Sequence, residues 1–296
     1  MEVRAVLYHP EDVGEELYLK ALEKVTAESQ TRIKRYYRRE DACRTLIGEL
    51  LVRMYCQEHG LFHPIRLTKT AEGKPYIANQ DPNSKIGFNV THDNALVAVA
   101  FAPGIHGPPA FNIGIDVMKT KIPSREPFAS FVEAFEEQAS DGILLPHIFG
   151  ISIKLTRNPA TQLTSLEVGL LKENVSLQEK INRFFWMWTL KEAYTKALGL
   201  GLGFDFSRVE FDVVQKEVKI DGQAPKGWRF TMFTIPDDED VYEGVVAEFV
   251  GGNQAQVLDR RHHHADQTEL SDWSIVVSGA GPTMQKAVDI LPSFES

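Results

Sequence analysis

LQEKINRFFWMWTLKEAYTKALG, residues 177–199, is the stretch that decides the fold. Its aromatic run, FFWMW, indicates a largely buried helix, and Gly199 is a typical helix stop. Glu192 and Lys196 stand four residues apart, so they share one face of this helix. We therefore predict a long helix over 177–198 that is mostly buried but carries one charged face.

The first half of the chain shows a similar pattern of short strands and one long helix. Apolar residues recur at three- and four-residue steps over 29–59, which predicts the second long helix. Short apolar or alternating segments predict strands at 5–9, 65–67, 75–77, 87–90, 96–101, 111–117, 207–214, 229–234 and 245–250. We predict an α+β fold: a pseudo-dimer of two similar lobes, each a small antiparallel-rich sheet packed on a long helix.

Composition shifts divide the chain into three parts. A stretch rich in proline and glycine at 103–109 is typical of a linker. It predicts an N-terminal lobe over 1–108 and a C-terminal lobe over 109–250. Residues 251–296 are polar and rich in glycine, and we expect a partly disordered tail there.

The overall charge and the cysteine content limit the class of protein. The net charge of −9 over 296 residues disfavours nucleic acid and anionic membranes as partners. Cys43 and Cys56 form no disulfide framework, which fits a reducing compartment. The sequence shows no signal peptide and no apolar run long enough to span a membrane. We expect a soluble, monomeric, cytoplasmic protein.

Two carboxylates stand where metal chemistry is possible. Asp116 follows Gly114 at the end of an apolar strand, although alone it could simply cap a turn. Glu192 could form an ordinary surface ion pair with Lys196. A buried Glu–Lys pair, however, needs further partners. Mg²⁺ held by Asp116 and Glu192, with phosphate oxygens and water completing its shell, would satisfy both acids.

Possible anion-binding groups lie elsewhere in the sequence. Thr91 and His92 stand in a turn that could bind an anion, or they could be ordinary surface residues. Residues 32–44 are locally basic, which fits either phosphate binding or a solvated helix face. Lys74 adds a cation in a Gly-Lys-Pro turn. The histidines at 262–264 could bind a transition metal, but a solvated tail is the simpler interpretation.

Taken together in this order, three motifs resemble the signatures of the 4′-phosphopantetheinyl transferase superfamily. They are NVTH at 89–92, GID at 114–116 and WTLKEAYTK at 188–196. The resemblance extends to 38–49 and 199–204 and covers most of residues 1–250. It is closest to the two-lobed surfactin-synthetase-activator type, in the eukaryotic branch that includes the aminoadipate-semialdehyde dehydrogenase phosphopantetheinyl transferases.

The resemblance implies a function and a set of partners. Members transfer the 4′-phosphopantetheine group of coenzyme A to a serine of an apo carrier protein, with Mg²⁺ as cofactor, and release adenosine 3′,5′-bisphosphate. The implied carriers belong to fatty acid synthase, to polyketide or peptide synthetases, or to the aminoadipate reductase of lysine biosynthesis. Catalysis of this kind depends mostly on positioning and on charge stabilisation.

The resemblance also implies roles for particular residues. Asp116 and Glu192 would be the Mg²⁺ ligands, with Glu192, Lys191 and Lys196 in the catalytic group. The base that takes the serine proton could be Glu192 or a metal-bound water, and the sequence leaves both open. The implied contacts to coenzyme A are Arg32, Arg44, Thr45, Lys74, Thr91, His92 and Lys196.

Two features depart from the family pattern. Many bacterial members have a third metal-binding acid at the position of Met118, and a thioether does not suit Mg²⁺. We therefore expect two protein carboxylates. Residues 139–162 have neither helical nor strand periodicity, and we predict that they are an insertion. The sequence leaves open whether this insertion is a loop of the protein or a retained intron.

Two alternatives to an active transferase remain at this point. A non-catalytic module that binds coenzyme A or a carrier protein would not need the metal pair. A nucleic-acid-binding protein using residues 32–44 would conflict with the net charge of −9.

Overall fold

The computed structural model describes residues 1–61, 65–81, 83–121, 162–200, 203–261 and 273–294. The helices in these ranges are α1 (Glu15–Leu22), α2 (Ala27–Ile33), α3 (Arg39–Glu58), α4 (Ser165–Lys172), α5 (Leu177–Leu198) and α6 (Ala280–Ile290). The strands are β1 (Glu2–Leu7), β2 (Leu67–Lys69), β3 (Pro75–Ile77), β4 (Ile86–Asp93), β5 (Leu96–Pro103), β6 (Ile113–Lys119), β7 (Val209–Asp212), β8 (Glu217–Ile220), β9 (Trp228–Asp237), β10 (Asp240–Phe249), β11 (Gln256–Asp259) and β12 (Ser274–Gly279). The predicted α+β class is confirmed.

Two four-stranded sheets form the centre of the molecule. The first has the order β12-β1-β5-β4 and the second the order β11-β9-β10-β6. Most neighbouring strands are antiparallel, while β12 pairs with β1 and β11 with β9 in parallel. β2–β3 and β7–β8 form separate hairpins.

The buried side chains fall into three layers. The first sheet packs one face on α3, through residues such as Leu46 and Val97. The opposite faces of the two sheets pack on each other, through residues such as Ala98 and Ile115. The second sheet packs its other face on α5, through Phe185 and its neighbours. The order through the molecule is therefore helix, sheet, sheet, helix.

The predicted helix over 29–59 is wrong at its start. The chain forms α2 and α3 instead, with residues 34–38 between them. The apolar stripe expected of one long helix includes Tyr36 and Tyr37, but these side chains are 45% and 101% exposed. Without a buried face, the five residues have nothing to hold them in a helix.

The predicted tail needs correction where the structure describes it. β12 extends the first sheet beside β1, from Glu2 opposite Ser274 to Leu7 opposite Gly279. α6 then buries Met284 completely against the core that contains α3. The described part of 251–296 therefore contributes a strand and a helix to the N-terminal half. The histidines at 262–264 lie outside the described residues.

Two further expectations are limited by the described ranges. Of the predicted insertion at 139–162, the structure describes only Gln162. Within the described residues, no helix combines the length and the apolar character that crossing a membrane requires.

Candidate active site

A glycine brings helix α5 into direct contact with strand β6. A Cβ at Gly114 would lie 2.1 Å from the carbonyl oxygen of Ala193 and 2.3 Å from the amide nitrogen of Ala197. No other residue fits there, so the glycine of the GID motif is needed for close approach. Asp116, two residues further along the strand, lies on the same face and therefore also points toward α5.

Side chains of β4 join the edges of the two sheets. Asn89 Oδ1 accepts a hydrogen bond from the amide of Ile115 at 3.0 Å, and Asp93 Oδ2 accepts one from the amide of Lys119 at 2.8 Å. Burial raises the pKa of Asp93. Neither residue is among the predicted site residues. Their signal in the sequence is the alternation of polar residues at 89, 91 and 93, which places all three on one face of a strand.

Between these two bridges lies a three-residue polar cluster. The hydroxyl of Thr91 donates to Asp116 Oδ1 at 3.1 Å. The Lys196 ammonium donates to the same carboxylate oxygen at 2.5 Å and to Thr91 Oγ1 at 3.0 Å. Thr91 and Asp116 are buried, whereas Lys196 is 31% exposed. The cluster thus joins β4, β6 and α5 at a point that solvent can still reach.

Glu192 completes the acidic side of this cluster. The residue is half-buried. Burial and the negative charge of Asp116 together raise the pKa of its carboxyl to about 7, although the charge of Lys196 opposes the shift. Asp116 and Glu192 are therefore close enough to repel each other, although they come from different elements.

Cationic groups line the other side of the cluster. Burial lowers the pKa of His92, and the charges of Lys196 and Arg44 lower it further. Arg44 on α3 donates from Nε to the carbonyl of Asn94 at 2.6 Å and pairs with Asp41 at 2.7 Å. Three potential positive charges thus converge beside two carboxylates.

The donor set fits a small divalent cation. The negative charge of Asp116 raises the pKa of Glu192, so a positive charge between the two carboxylates would be favourable. Mg²⁺ accepts one or two protein carboxylates when phosphate and water complete its shell. Met118 is buried in the core under α5 and offers no oxygen. The described residues contain no group of three or more acidic, histidine or cysteine side chains that could hold a metal ion. Among the described residues, Asp116 and Glu192 are the two acids that could hold a cation at this point.

The predicted catalytic role of Lys191 is not supported. Its side chain is fully buried and its ammonium donates to Glu167 Oε2 at 2.7 Å, Gln162 O at 2.7 Å and Phe206 O at 3.1 Å. These acceptors use all three of its N–H bonds. Burial lowers its pKa. Lys191 therefore connects α5 to neighbouring segments of its own half instead of reaching Asp116.

Two of the other predicted coenzyme A contacts are engaged with different partners. Arg32 on α2 pairs with the buried Glu49 on α3 at 2.9 Å. Lys74 is buried and donates to two backbone carbonyls. Thr45 is half-buried on α3, directly after Arg44.

A cleft of about 330 Å³ opens beside this junction, and its lining includes Arg44, Asn94, Lys119, Tyr242 and the acids Glu40, Asp237, Asp238 and Asp240. Asp116, Glu192 and Lys196 are not part of this lining. Its volume is within the range of small-molecule sites, roughly 300–1,000 Å³. On one wall, the hydroxyl of Tyr242 accepts a hydrogen bond from the amide of Ala95 at 3.0 Å. The cleft therefore continues from Arg44 along the boundary between the two sheets.

Comparison with known proteins identifies the family. The family model of the 4′-phosphopantetheinyl transferase N-terminal domain matches residues 12–104, and that of the 4′-phosphopantetheinyl transferase superfamily matches residues 149–247. A 4′-phosphopantetheinyl transferase of Paxillus involutus is 39% identical over 98% of this chain and 100% of its own length. The L-aminoadipate-semialdehyde dehydrogenase-phosphopantetheinyl transferases of Mus musculus and Homo sapiens are each 25% identical over 94% of this chain and 84% of theirs. The chain belongs to the 4′-phosphopantetheinyl transferase superfamily.

Proposed function

We propose that this chain transfers the 4′-phosphopantetheine group of coenzyme A to a serine of an apo carrier protein. The observation that carries the proposal is the junction of β4, β6 and α5. It brings together Asp116, Glu192 and Lys196 from positions up to 80 residues apart. The names of the relatives support the same activity.

The site would hold Mg²⁺ through Asp116 and Glu192. When bound, the ion supplies Lewis-acid stabilisation of charge on phosphate oxygens. The ion pair between Lys196 and Asp116 would then open, because the cation replaces the ammonium as the partner of the carboxylate. The freed ammonium can donate to the pyrophosphate as a compact positive charge.

His92 and Arg44 would add positive charge around the nucleotide phosphates. His92 is the second-last residue of β4, and Arg44 is fixed against the turn after β4 through Asn94. The Arg44 side chain therefore does not need to be ordered when the phosphates arrive, which favours binding. The serine hydroxyl attacks the β-phosphate, and adenosine 3′,5′-bisphosphate leaves. Glu192 as the base for the hydroxyl proton remains a prediction.

The proposed carriers follow from the relatives. Names that combine aminoadipate-semialdehyde dehydrogenase with phosphopantetheinyl transferase point to the aminoadipate reductase of lysine biosynthesis. Carrier domains of fatty acid synthase and of polyketide or peptide synthetases are further proposed substrates.

We propose that the two sheets, each with its long helix, correspond to the two lobes of a pseudo-dimer. The edge-to-edge bridging by Asn89 and Asp93 and the packing of the two inner faces support this arrangement. The boundaries 1–108 and 109–250, the monomeric state, the cytoplasmic location and the absence of nucleic-acid binding remain predictions.

The direct test incubates the full chain with coenzyme A, Mg²⁺ and a panel of apo carrier domains, followed by intact mass. We expect at least one carrier to gain the mass of one phosphopantetheine group, and a chelator to prevent the gain. Binding of coenzyme A without any mass gain across the panel would instead favour a non-catalytic binding module.

A further inference from the structure

Lys74 lies on a hairpin that the first half of the chain inserts between two elements of the second half. The turn before β3 is closed by hydrogen bonds from Thr70 N to Lys74 O at 2.9 Å and from Gly73 N to Thr70 O at 3.0 Å. Gly73 has a φ of +94°, which few other residues adopt. The turn is therefore rigid, and it directs the Lys74 side chain inward, where the residue is only 7% exposed.

The Lys74 ammonium joins the end of α5 to the start of β6. It donates to Ala197 O at 2.7 Å and to Phe111 O at 2.5 Å. The last four carbonyls of a helix have no partner within the helix, and a positive charge there is favourable. Lys74 supplies both the donor and the charge to Ala197. Its aliphatic chain also packs at Gly199, where a Cβ would lie 3.2 Å from Lys74 Cδ.

These two contacts act directly beside the candidate site. Ala197 follows Lys196 and packs on Gly114, which lies two residues before Asp116. Phe111 stands two residues before β6 and holds a φ of +56°, a conformation that needs support from its surroundings. One side chain thus fixes both elements that carry the site.

We propose that Lys74 is a positioning residue, which sets the separation of Asp116 and Glu192 by joining β6 to α5. This inference rests on the proposed function and replaces the expected role of Lys74 as a contact to coenzyme A. Its ammonium donates to two backbone carbonyls, and the residue as a whole is buried. Burial lowers the pKa of Lys74 to about 7, while the two carbonyls favour the charged form.

A role in positioning and a role as a contact to a phosphate of coenzyme A predict different results for Lys74→Met. A positioning residue should leave the preference for coenzyme A over 3′-dephospho-coenzyme A unchanged, measured as the ratio of the two Kd values without metal. It should lower kcat about tenfold to a hundredfold. It should also raise the Mg²⁺ concentration that half-maximally increases Tm in the presence of coenzyme A. A phosphate contact should instead lose the preference for coenzyme A.

Lys219→Met is the control, because Lys219 lies on the β7–β8 hairpin, is 45% exposed and pairs with Glu210 at 3.3 Å. It should match the wild type in all three measurements. Lys74→Gln keeps two N–H donors without the charge and should give an intermediate effect. It also replaces Lys74→Met if that variant does not fold.

Three results would overturn the proposal. The first is a collapse of the ratio of Kd values. The second is a folded variant with wild-type kcat and metal requirement. The third is failure of both variants to fold, which would make Lys74 a requirement of the fold itself. If the wild type transfers nothing to any carrier, the proposed function fails, while the Tm and Kd measurements still report on Lys74.

Discussion

Lys196 Nζ lies 2.5 Å from Asp116 Oδ1, although the two residues are 80 positions apart in the chain. The pair joins the end of a central helix to an edge strand, and Thr91 from the other sheet bonds to both partners. The contact neutralises a buried carboxylate that would otherwise face Glu192 uncompensated. Lys196 therefore compensates the charge of Asp116 at the point where β4, β6 and α5 meet.

Because β6 and α5 approach closely at Gly114, adding one methyl group there should strongly destabilise the protein. Gly114→Ala would place Cβ 2.1 Å from the backbone of α5, so the helix must move away from β6. We expect a loss of about 3 kcal/mol in the free energy of unfolding and a loss of transferase activity.

The control for this variant is Gly169→Ala, measured by urea denaturation alongside it. Gly169 lies inside α4, and a Cβ added there would have no atom within 4 Å, so alanine should stabilise by roughly 0.5–1 kcal/mol. A Gly114→Ala protein as stable and active as the wild type would contradict the close packing of α5 on β6.

The raised pKa of Glu192 should make the stability of the protein depend on pH. Its pKa is raised from 4.5 to about 7, so between these values the unfolded chain loses a proton that the folded protein keeps. The contribution of Glu192 to stability therefore falls as pH rises through this window and stays low above it.

Glu192→Gln should remove that penalty. Without metal at pH 8, we expect the free energy of unfolding of Glu192→Gln to be about 2 kcal/mol higher than that of the wild type. This difference should vanish near pH 4. Glu217→Gln, at an exposed position of β8, should show no such trend. Thermal unfolding across pH 4–8 measures both, and a destabilised Glu192→Gln at pH 8 would count against the repulsion between the two acids.

We expect the substitution Lys191→Met to lower the stability of the fold. Lys191→Met would leave the carboxylate of Glu167 buried, and its remaining partners among the described residues are the backbone amides of Thr164 and Phe211. Breaking a buried ion pair costs about 3–5 kcal/mol. A double variant that also changes Glu167→Leu should recover part of this loss. An unchanged denaturation midpoint for Lys191→Met would show that the pair is not buried as described.

Much of the site could be predicted because its motifs combine chemistry with local periodicity. The i,i+4 spacing places Glu192 and Lys196 on one helix face, and strand alternation places Gly114 and Asp116 on one strand face. Periodicity does not predict which other element packs against each face of a helix or strand. Lys191 and Glu192 are adjacent in the chain, yet one bonds within the core and the other lies at the junction.

The rest of the fold depends on contacts between distant segments. β12 pairs with β1, although about 270 residues separate them. The segment SIVVSG at 274–279 is short and carries no regular buried face, so its sequence does not predict this pairing. The break between α2 and α3 depends on whether Tyr36 and Tyr37 find a core, which they do not. The contacts of Lys74 escape sequence reasoning for the same reason, since only the fold shows that its ammonium meets helix carbonyls.

The most direct measurement compares the wild type with Asp116→Asn in transfer of phosphopantetheine to a purified apo carrier, followed by intact mass at matched Mg²⁺ and coenzyme A. The substitution keeps the shape of the side chain but removes the charge that pairs with Lys196 and would bind the cation. We predict conversion of the carrier by the wild type and a rate at least about a thousandfold lower for Asp116→Asn. Turnover of Asp116→Asn close to that of the wild type would contradict the assignment of the site.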